Sequence, residues 1–193
     1  MNKFEDYVLS DVSKEHKNMI LNWRNAEHVR KNMFNEHVIT KEDHDRWFEN
    51  LEMDKKIIGK ILLYKGAPIG FVNFTDLDYK NNKGYWGFYI GERKTPKGSG
   101  KVMALLALDY IFEEYKLKKL CSQILEFNEI SIRYHLKIGF SEEGRLKQHI
   151  FKNNNYYDVI EMALFRKDWA HIRKKLLKEL KGNKDKKKTA SES

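Results

Sequence analysis

The sequence predicts an α+β domain with a central, mostly antiparallel mixed sheet flanked by helices. Three observations lead to this fold class. Two helical segments come first and are followed by three apolar strands joined by turns. A glycine-rich turn then leads into a long apolar helix, and the chain ends with strand, helix, two strands and a last helix. This order places one β-α-β crossover in the middle of the chain.

The N-terminal part predicts two helices joined by a polar loop. N-cap residues at 10–13 precede a first helix that is expected to end near Arg24. Thr40 begins a capping-box variant and starts a second helix that ends near Leu51. Loops that carry isolated large apolar side chains often line ligand pockets or pack beneath the loop. The loop between these helices carries Met33 and Phe34.

Apolar, partly β-branched runs bounded by turn residues predict the strands. The predicted strands cover residues 57–64, 69–74, 85–90, 119–125, 142–151 and 156–165. Three further helices are predicted at about 101–115, from Asn128 to just before Gly139, and from Asp168 to about Leu180.

The net charge of +9 is concentrated at the C-terminal end of the 193 residues. Residues 170–193 contain nine Lys or Arg and three Asp or Glu, and so carry +6 of that charge. We expect a single domain at residues 1–180, followed at 181–193 by a disordered basic tail of low complexity. Because the excess charge lies at one end, specific nucleic acid binding is not predicted.

The composition also bears on the cellular compartment of the protein and on whether it holds a disulfide or a metal site. Cys121 is the only cysteine, so no disulfide can form within the chain. The N-terminus carries acids instead of a signal peptide's apolar run, and no apolar stretch approaches the ~18 residues of a membrane helix. These features predict a cytoplasmic protein with no membrane attachment. No metal site is predicted.

A glycine-containing turn between the strand at 85–90 and the next helix is the first motif with chemical meaning. Gly98 and Gly100 would let a ligand approach the backbone, where free N–H groups and the helix dipole favour a phosphate. Lys97 and Lys101 add positive charge. The spacing fits neither a P-loop nor a dinucleotide fingerprint. The turn therefore predicts a phosphate site or a simple strand-to-helix connection.

The second motif runs from Asn128 to Phe140. Asn128, Ser131 and His135 recur at helical spacing and so share one face of the predicted helix. Such a face suits a polar cleft, although an ordinary solvent-facing surface would have the same pattern.

Together the two motifs resemble the GNAT superfamily of N-acetyltransferases. The family's pyrophosphate loop, Q/R-x-x-G-x-G/A, is matched at Gly98 and Gly100 but not at Thr95. The later family pattern, N-x-x-A/S-x-x-x-Y-x-K-x-G-F, is matched from Asn128 to Phe140 except at the tyrosine, where this chain has His135. The resemblance covers residues 4–168 and implies a GNAT-like acyl-CoA N-acyltransferase fold, with acetyl-CoA as co-substrate.

The resemblance also implies roles for individual residues. His135 would take the place of the family tyrosine and protonate the leaving thiolate, since the unperturbed pKa of histidine is about 6.5. The proton of the attacking amine would leave through a base or water near Glu126. Tyr134, one residue before His135, would point elsewhere. The pantetheine arm, pyrophosphate and remaining coenzyme A contacts would come from Phe88, Tyr89, Ile90, Lys97, Gly98, Ser99, Gly100, Lys101 and Asn128.

The N-terminal third and the last hairpin are similar to a narrower group. This group comprises the enzymes of pseudaminic acid biosynthesis that acetylate UDP-4-amino-4,6-dideoxy-N-acetyl-β-L-altrosamine. The similarity lies in Trp23-Arg24-Asn25, the segment 29–48, and the segments 143–147 and 157–159. It implies that Arg24 and His44 approach the nucleotide phosphates, and that an apolar wall receives the 6-methyl group of the sugar. The implied wall comprises Met33, Phe34, Trp47 and Tyr89, and Thr75 completes the substrate set.

Other functions stay open at this point. A protein N-terminal acetyltransferase of the ribosomal-protein type shares the Trp23-Arg24-Asn25 opening and the Asn128–Phe140 pattern, and a polyamine is a further acceptor. A third class is a non-catalytic acetyl-CoA-binding module or a basic nucleic-acid-binding module, which the matched glycines and the location of the charge disfavour. The oligomeric state is also open, with a homodimer as one option.

Overall fold

The computed structural model describes residues 4–182, which form seven strands and six α-helices. Of the predicted tail at 181–193, Lys181 and Gly182 belong to the last helix, and residues 183–193 lie outside the described residues. The strands are β1 (Tyr7–Asp11), β2 (Ile58–Tyr64), β3 (Ala67–Asp78), β4 (Lys83–Ile90), β5 (Lys119–Leu125), β6 (Ser141–Lys152) and β7 (Asn155–Phe165). The helices are α1 (Lys17–Asn25), α2 (Glu27–Arg30), α3 (Lys41–Met53), α4 (Ser99–Asp109), α5 (Glu129–Lys137) and α6 (Arg166–Gly182).

The strands form one mixed sheet in the order β1-β2-β3-β4-β5-β7-β6. Among the described strands, β4 and β5 are the one parallel pair, and α4 makes the crossover between them. Every other neighbouring pair is antiparallel. The predicted α+β class with a mostly antiparallel mixed sheet is confirmed.

The N-terminal elements differ from the prediction. Residues 7–11 form an edge strand that pairs with β2, whereas the sequence analysis placed only helix caps at 10–13. The sequence of this strand does not alternate apolar and polar residues, and its burial is irregular, with Val8 54% exposed. A 3₁₀ turn at Lys14–His16 precedes α1. The predicted polar loop contains the short helix α2.

Helix α4 is buried on nearly all sides, as its apolar sequence predicts. It packs with β3, β4, β5 and α6 into the larger of two hydrophobic clusters, and a π-helical turn at Tyr110–Glu114 follows it. The smaller cluster joins α1 and α3 to β2 and β3 through Ile20, Trp23, Phe48, Ile61 and Phe71.

Helix α6 is fastened to α4 by a buried tryptophan. The Trp169 side chain is fully buried, and its Nε1–H donates to Asp109 Oδ1 at 2.9 Å. Arg173 Nε donates to the same oxygen at 2.7 Å. Asp109 therefore links the end of α4 to the first two turns of α6.

The separation of β4 from β5 positions the cavity described below. The two strands pair at three positions only, from Lys83↔Lys119 to Tyr85↔Cys121. Beyond them β4 continues to Ile90 and β5 to Leu125 without pairing with each other. We call this divergence the fork.

We expect Trp169→Ala to lower the free energy of unfolding by about 3–5 kcal/mol, because it removes a large buried side chain and leaves a cavity. Urea denaturation followed by circular dichroism measures the change. Met53→Ala, at a side chain that is 75% exposed, is the control and should leave stability within about 0.5 kcal/mol. A loss as small as the control's for Trp169→Ala would show that α6 contributes little to the fold.

Candidate active site

A cavity of ≈ 1050 Å³ extends from the fork towards the N-terminal helices. Its walls come from α1, α2, the loop before α3, α3 itself, the strands β3, β4 and β5, and α5. Predicted site residues that line it are Arg24, Met33, His44, Trp47, Phe88, Tyr89, Ile90, Asn128 and His135. Phe34, Thr75, Glu126 and the turn at 97–101 are not among the lining residues of the described chain.

Two polar residues at the fork were not identified from the sequence. Ser122 directly follows the last β5 residue that pairs with β4. On β3, Asn73 lies opposite Gly87 of β4, and a Cβ atom at Gly87 would be 2.9 Å from Asn73 Oδ1. The missing side chain of Gly87 thus leaves room for the Asn73 amide at the cavity wall. A single polar residue within an apolar strand gives no sequence signal for such a position.

His135 is held by hydrogen bonds on both ring nitrogens. Its Nδ1 lies 2.8 Å from the Ser131 carbonyl oxygen, and its Nε2 lies 3.0 Å from Ser122 Oγ. A carbonyl oxygen can only accept, so Nδ1 carries the proton and Nε2 accepts from the Ser122 hydroxyl. The ring is 2% exposed and contacts Trp86 and Phe140 edge-on.

These surroundings do not fit the predicted role of His135 as a proton donor. Burial lowers the pKa of His135 to about 4, although the bond to Ser131 opposes the shift. The ring is therefore neutral at pH 7, and its one N–H is committed to a backbone carbonyl. The sequence spacing correctly placed Asn128, Ser131 and His135 on one face, but it could not show how deeply that face is buried.

Tyr134 also lines the cavity, contrary to the expectation that it would point elsewhere. Its hydroxyl donates to the Gly100 carbonyl oxygen at 2.7 Å, and its ring packs on Phe88 at 5.3 Å between centroids. Tyr134 thus joins α5 to the first turn of α4.

In the glycine-containing turn, some backbone N–H groups are hydrogen-bonded within the described chain and others are not. Gly98 has φ +98° and caps α4 in the left-handed region that favours glycine. The N–H groups of Ser99 and Lys101 donate to the carbonyls of Pro96 and Gly98. In the described chain, the N–H groups of Lys97, Gly98 and Gly100 have no such partner.

Two side chains of this turn already have partners within the protein, whereas the resemblance assigns the pyrophosphate to the backbone N–H groups of the turn. The Ser99 hydroxyl donates to the Pro96 carbonyl oxygen at 2.7 Å and lies 2.9 Å from the Tyr7 hydroxyl. Lys101 Nζ pairs with Glu179 of α6 at 2.8 Å. Lys97 is exposed, so it is the lysine of this turn that can still meet a phosphate.

Asn128 caps α5 as predicted, because its Oδ1 accepts from Ser131 N at 3.2 Å. Its Nδ2 makes no hydrogen bond to any other described residue. Since Asn128 also lines the cavity, this amide can donate to a ligand.

Glu126, the predicted neighbour of the base, has a structural role. Its Oε1 accepts from the Asp158 backbone N–H at 2.9 Å, and its Oε2 pairs with Arg145 at 3.4 Å. Asp158 in turn accepts from Lys147 and from the Gln148 N–H, and these contacts hold its pKa at about 2. The segments 143–147 and 157–159 therefore fix an irregular part of the β6–β7 pair.

Arg24 lies in the cavity wall, and one nitrogen of its guanidinium has no partner in the described chain. Nη2 donates to the Asn35 carbonyl oxygen at 2.8 Å, whereas Nη1 is buried without a partner in the described chain. Burial lowers the pKa of Arg24, but an arginine remains charged at neutral pH. A buried cationic donor without a partner is costly, so the site suits an anionic ligand.

His44 also lines the cavity, but it does not fit a phosphate contact. Its Nε2 donates to the Lys17 carbonyl oxygen at 2.8 Å, and its ring stacks on Trp47 at 5.1 Å. Burial lowers the pKa of His44. The ring is therefore neutral and has no N–H left for an anion. It supports Trp47 instead.

The apolar wall differs from the predicted one in one member, because Phe71 lines the cavity and Phe34 does not. Met33, Trp47 and Tyr89 line the cavity, and Phe71 joins them through an edge contact with Trp47. Phe34 is 37% exposed and Thr75 lies two residues beyond Asn73, so neither forms part of this wall.

Lys152, from the β6–β7 hairpin, fixes the segment that carries Met33. Its side chain is 3% exposed, and Nζ donates to the carbonyl oxygens of Lys31 and Met33 at 2.7 and 2.9 Å. It also lies 3.4 Å from Glu36 Oε2. Nothing in the sequence distinguished this lysine from the other 36 Lys and Arg residues.

The cavity carries little negative charge. Asp43 is the one carboxylate among the lining residues of the described chain. It pairs with Arg46 and accepts from the Thr40 hydroxyl at 3.0 Å. Both side chains of this pair are exposed, at 55% for Asp43 and 70% for Arg46, so the pairing offsets only part of the charge of Asp43.

Most of the chain matches a known family of domains. A family model described as an acetyltransferase (GNAT) domain matches residues 10–160. The SPbeta prophage-derived uncharacterized N-acetyltransferase YokL of Bacillus subtilis is 36% identical over 103 residues, which cover 52% of this chain and 57% of that protein. The spermidine N(1)-acetyltransferase of Escherichia coli K12 is 31% identical over 100 residues, covering 52% and 54%. The chain thus spans about half the length of the curated relatives it matches.

Solved structures share the fold. The spermidine N-acetyltransferase from Vibrio cholerae, in complex with CoA and spermine, has a TM-score of 0.79 at 20% identity, covering 86% of this chain and 99% of that one. At this identity the similarity concerns the fold alone. No helix among residues 4–182 has the length and apolar character required to cross a bilayer.

The buried, neutral state of His135 leads to a pH dependence of stability. Its pKa is about 4 in the folded protein and about 6.5 when unfolded, so its contribution is full above pH 6.5 and is lost as the pH falls to 4. We expect a loss of roughly 3 kcal/mol over this window from His135. In His135→Phe the decline should be smaller, which urea denaturation at each pH would measure. An equally steep decline in the variant would contradict the low pKa.

Proposed function

The chain belongs to the GNAT family of acetyltransferases, and on that premise we propose that it transfers acetyl from acetyl-CoA to the amine of a UDP-linked 4-amino-4,6-dideoxy sugar. Acetyl-CoA, when bound, supplies the thioester that the amine attacks. The fork leaves the edge of β4 from Trp86 to Ile90 without a β5 partner, so this edge can bind the pantetheine arm. The N–H groups of Gly98 and Gly100 and the side chain of Lys97 suit the pyrophosphate.

The observation that carries the acceptor proposal is the buried Nη1 of Arg24, which has no hydrogen-bond partner in the described chain. A nucleoside diphosphate would give Nη1 an anionic acceptor and form a charge-assisted hydrogen bond. The wall of Met33, Trp47 and Tyr89 would meet the methyl group of a 6-deoxy sugar. Lys152 keeps that wall in place by holding the backbone at Lys31 and Met33.

A polyamine is the second candidate, favoured by the spermidine acetyltransferases among the relatives. None of the relatives above carries a name that refers to an amino sugar. The lining residues favour a polyamine less, because Asp43 is the one carboxylate among them in the described chain and it also pairs with Arg46. We therefore place the UDP-amino sugar first and the polyamine second.

The deciding experiment measures acetyl transfer by the purified protein to the UDP-4-amino-4,6-dideoxy sugar, to spermidine and to a ribosomal-protein N-terminal peptide. We expect the highest kcat/KM with the sugar nucleotide. A higher kcat/KM with spermidine would show that the acceptor is a polyamine and not the sugar nucleotide. Activity with none of these amines, despite measurable coenzyme A binding, would overturn the acceptor proposals.

We expect Arg24→Ala to raise the KM for the sugar nucleotide about 10- to 100-fold, the usual size for a lost charged hydrogen bond. The affinity for acetyl-CoA should change little. Arg30→Ala is the matched control, because Arg30 likewise donates to a loop carbonyl, at Glu36, but does not line the cavity. An equal rise in both variants would show that Arg24 acts only by holding the loop.

We expect Gly100→Val to weaken coenzyme A binding at least about 10-fold, which isothermal titration can measure, because its side chain would occupy space beside the N–H groups. Folding should survive, since a Cβ atom at Gly100 meets nothing within 4 Å. Gly144→Val is the control, because its Cβ position is equally open and lies on β6. Unchanged coenzyme A affinity in a folded Gly100 variant would contradict this placement of the pyrophosphate.

A further inference from the structure

Three hydrogen-bonded groups form a chain at the fork: the Ser131 carbonyl, the His135 ring and the Ser122 hydroxyl. The two hydrogen bonds between them determine where each proton lies. The Ser131 carbonyl accepts from His135 Nδ1, and His135 Nε2 accepts from the Ser122 hydroxyl, at 2.8 and 3.0 Å. The Ser131 hydroxyl lies further from Nδ1, at 3.3 Å. The backbone carbonyl therefore determines the tautomer of the ring, and the ring determines the direction of the Ser122 hydroxyl.

This chain makes Ser122 an acceptor. Its one proton is directed to His135, so only the lone pairs of Oγ remain for any other partner. Ser122 makes no second hydrogen bond within the described residues, although it is 4% exposed and lines the cavity. It also lies at the first β5 position beyond the last pair with β4. The wall at the fork thus presents a buried oxygen that can receive an N–H but cannot donate to a carbonyl or a thiolate.

We propose that Ser122 receives an N–H group from the bound substrates at the fork, and that His135 is a positioning residue that orients Ser122. This inference rests on the proposed acetyl transfer. Two N–H groups have the right chemistry: that of the attacking amine and that of an amide in the pantetheine arm. With the amine, an accepted N–H would hold its lone pair towards the thioester carbonyl. With the arm, it would align the thioester along β4.

The kinetic test compares Ser122→Ala, His135→Phe and the double variant. Phenylalanine keeps an aromatic ring among Trp86 and Phe140 but has no ring nitrogens. Each single variant should lower kcat/KM roughly 3- to 10-fold, the size for one neutral hydrogen bond. In the Ser122→Ala background, His135→Phe should add less than about a twofold further loss, because His135 acts through Ser122.

The two sources of the N–H are distinguished by which constant changes. A fall in kcat or a rise in the KM of the amine, with unchanged coenzyme A affinity, assigns the N–H to the amine. Weaker coenzyme A binding with unchanged kcat assigns it to the pantetheine amide. Gln123→Ala is the control, since Gln123 is the next β5 residue and its exposed side chain donates to Glu161. Ser122→Ala with kcat, KM and coenzyme A affinity all within twofold of the parent would overturn the proposal, as would multiplicative losses in the double variant.

A spectroscopic test needs no catalysis and so separates this inference from the proposed function. Long-range ¹H–¹⁵N spectra of the intact protein should show His135 protonated at Nδ1 and unprotonated at Nε2 from pH 5.5 to pH 8. The signals are assigned by their loss in His135→Phe. A proton on Nε2, or titration of the ring within this range, would overturn the inference even in an active enzyme. An inactive parent protein with the expected tautomer, and with coenzyme A binding weakened by Ser122→Ala, would reject only the proposed acetyl transfer.

Discussion

The separation of β4 from β5 after three residue pairs is the constraint on which the rest of the site depends. Parallel strands normally satisfy each other's backbone groups along their whole length, and here the pairing stops at Tyr85↔Cys121. The core holds the divergent strands apart, with α4 and α5 packed beside them and Trp86 stacked on Phe140 at 5.4 Å. The unpaired edge of β4 and the side chains at the fork consequently face a cavity.

Burial then decides what the side chains at this cavity can do. His135 and His44 each have a pKa lowered by burial and an N–H bound to a backbone carbonyl, so both are neutral supports for a neighbour. Arg24 cannot become neutral in the same way, because arginine keeps its proton. Among the described residues of the cavity wall, the unpaired Nη1 of Arg24 is therefore the group that most favours binding of an anion.

Several parts of the fold and site follow from local patterns. The α+β class, the apolar helix α4 and the Asn128 cap were all predictable, because each depends on neighbours within a few residues. Thr40 likewise caps α3 through its contact with Asp43 N at 3.1 Å. The edge strand β1 was missed because its hydrogen bonds go to residues more than 45 positions away.

The sequence by itself determined the class of fold, the two motifs and the face of α5 that carries Asn128, Ser131 and His135. The tertiary structure alone decided which polar groups are already satisfied. Lys101 is paired with Glu179, Glu126 is bound to the backbone of Asp158, and Lys152 reaches the carbonyl of Met33 across 119 residues of chain. A donor that is bonded within the protein cannot also bind a ligand, and its partner can lie anywhere in the sequence. Spacing can therefore identify a candidate polar side chain, but it cannot show whether that side chain is free to bind a ligand.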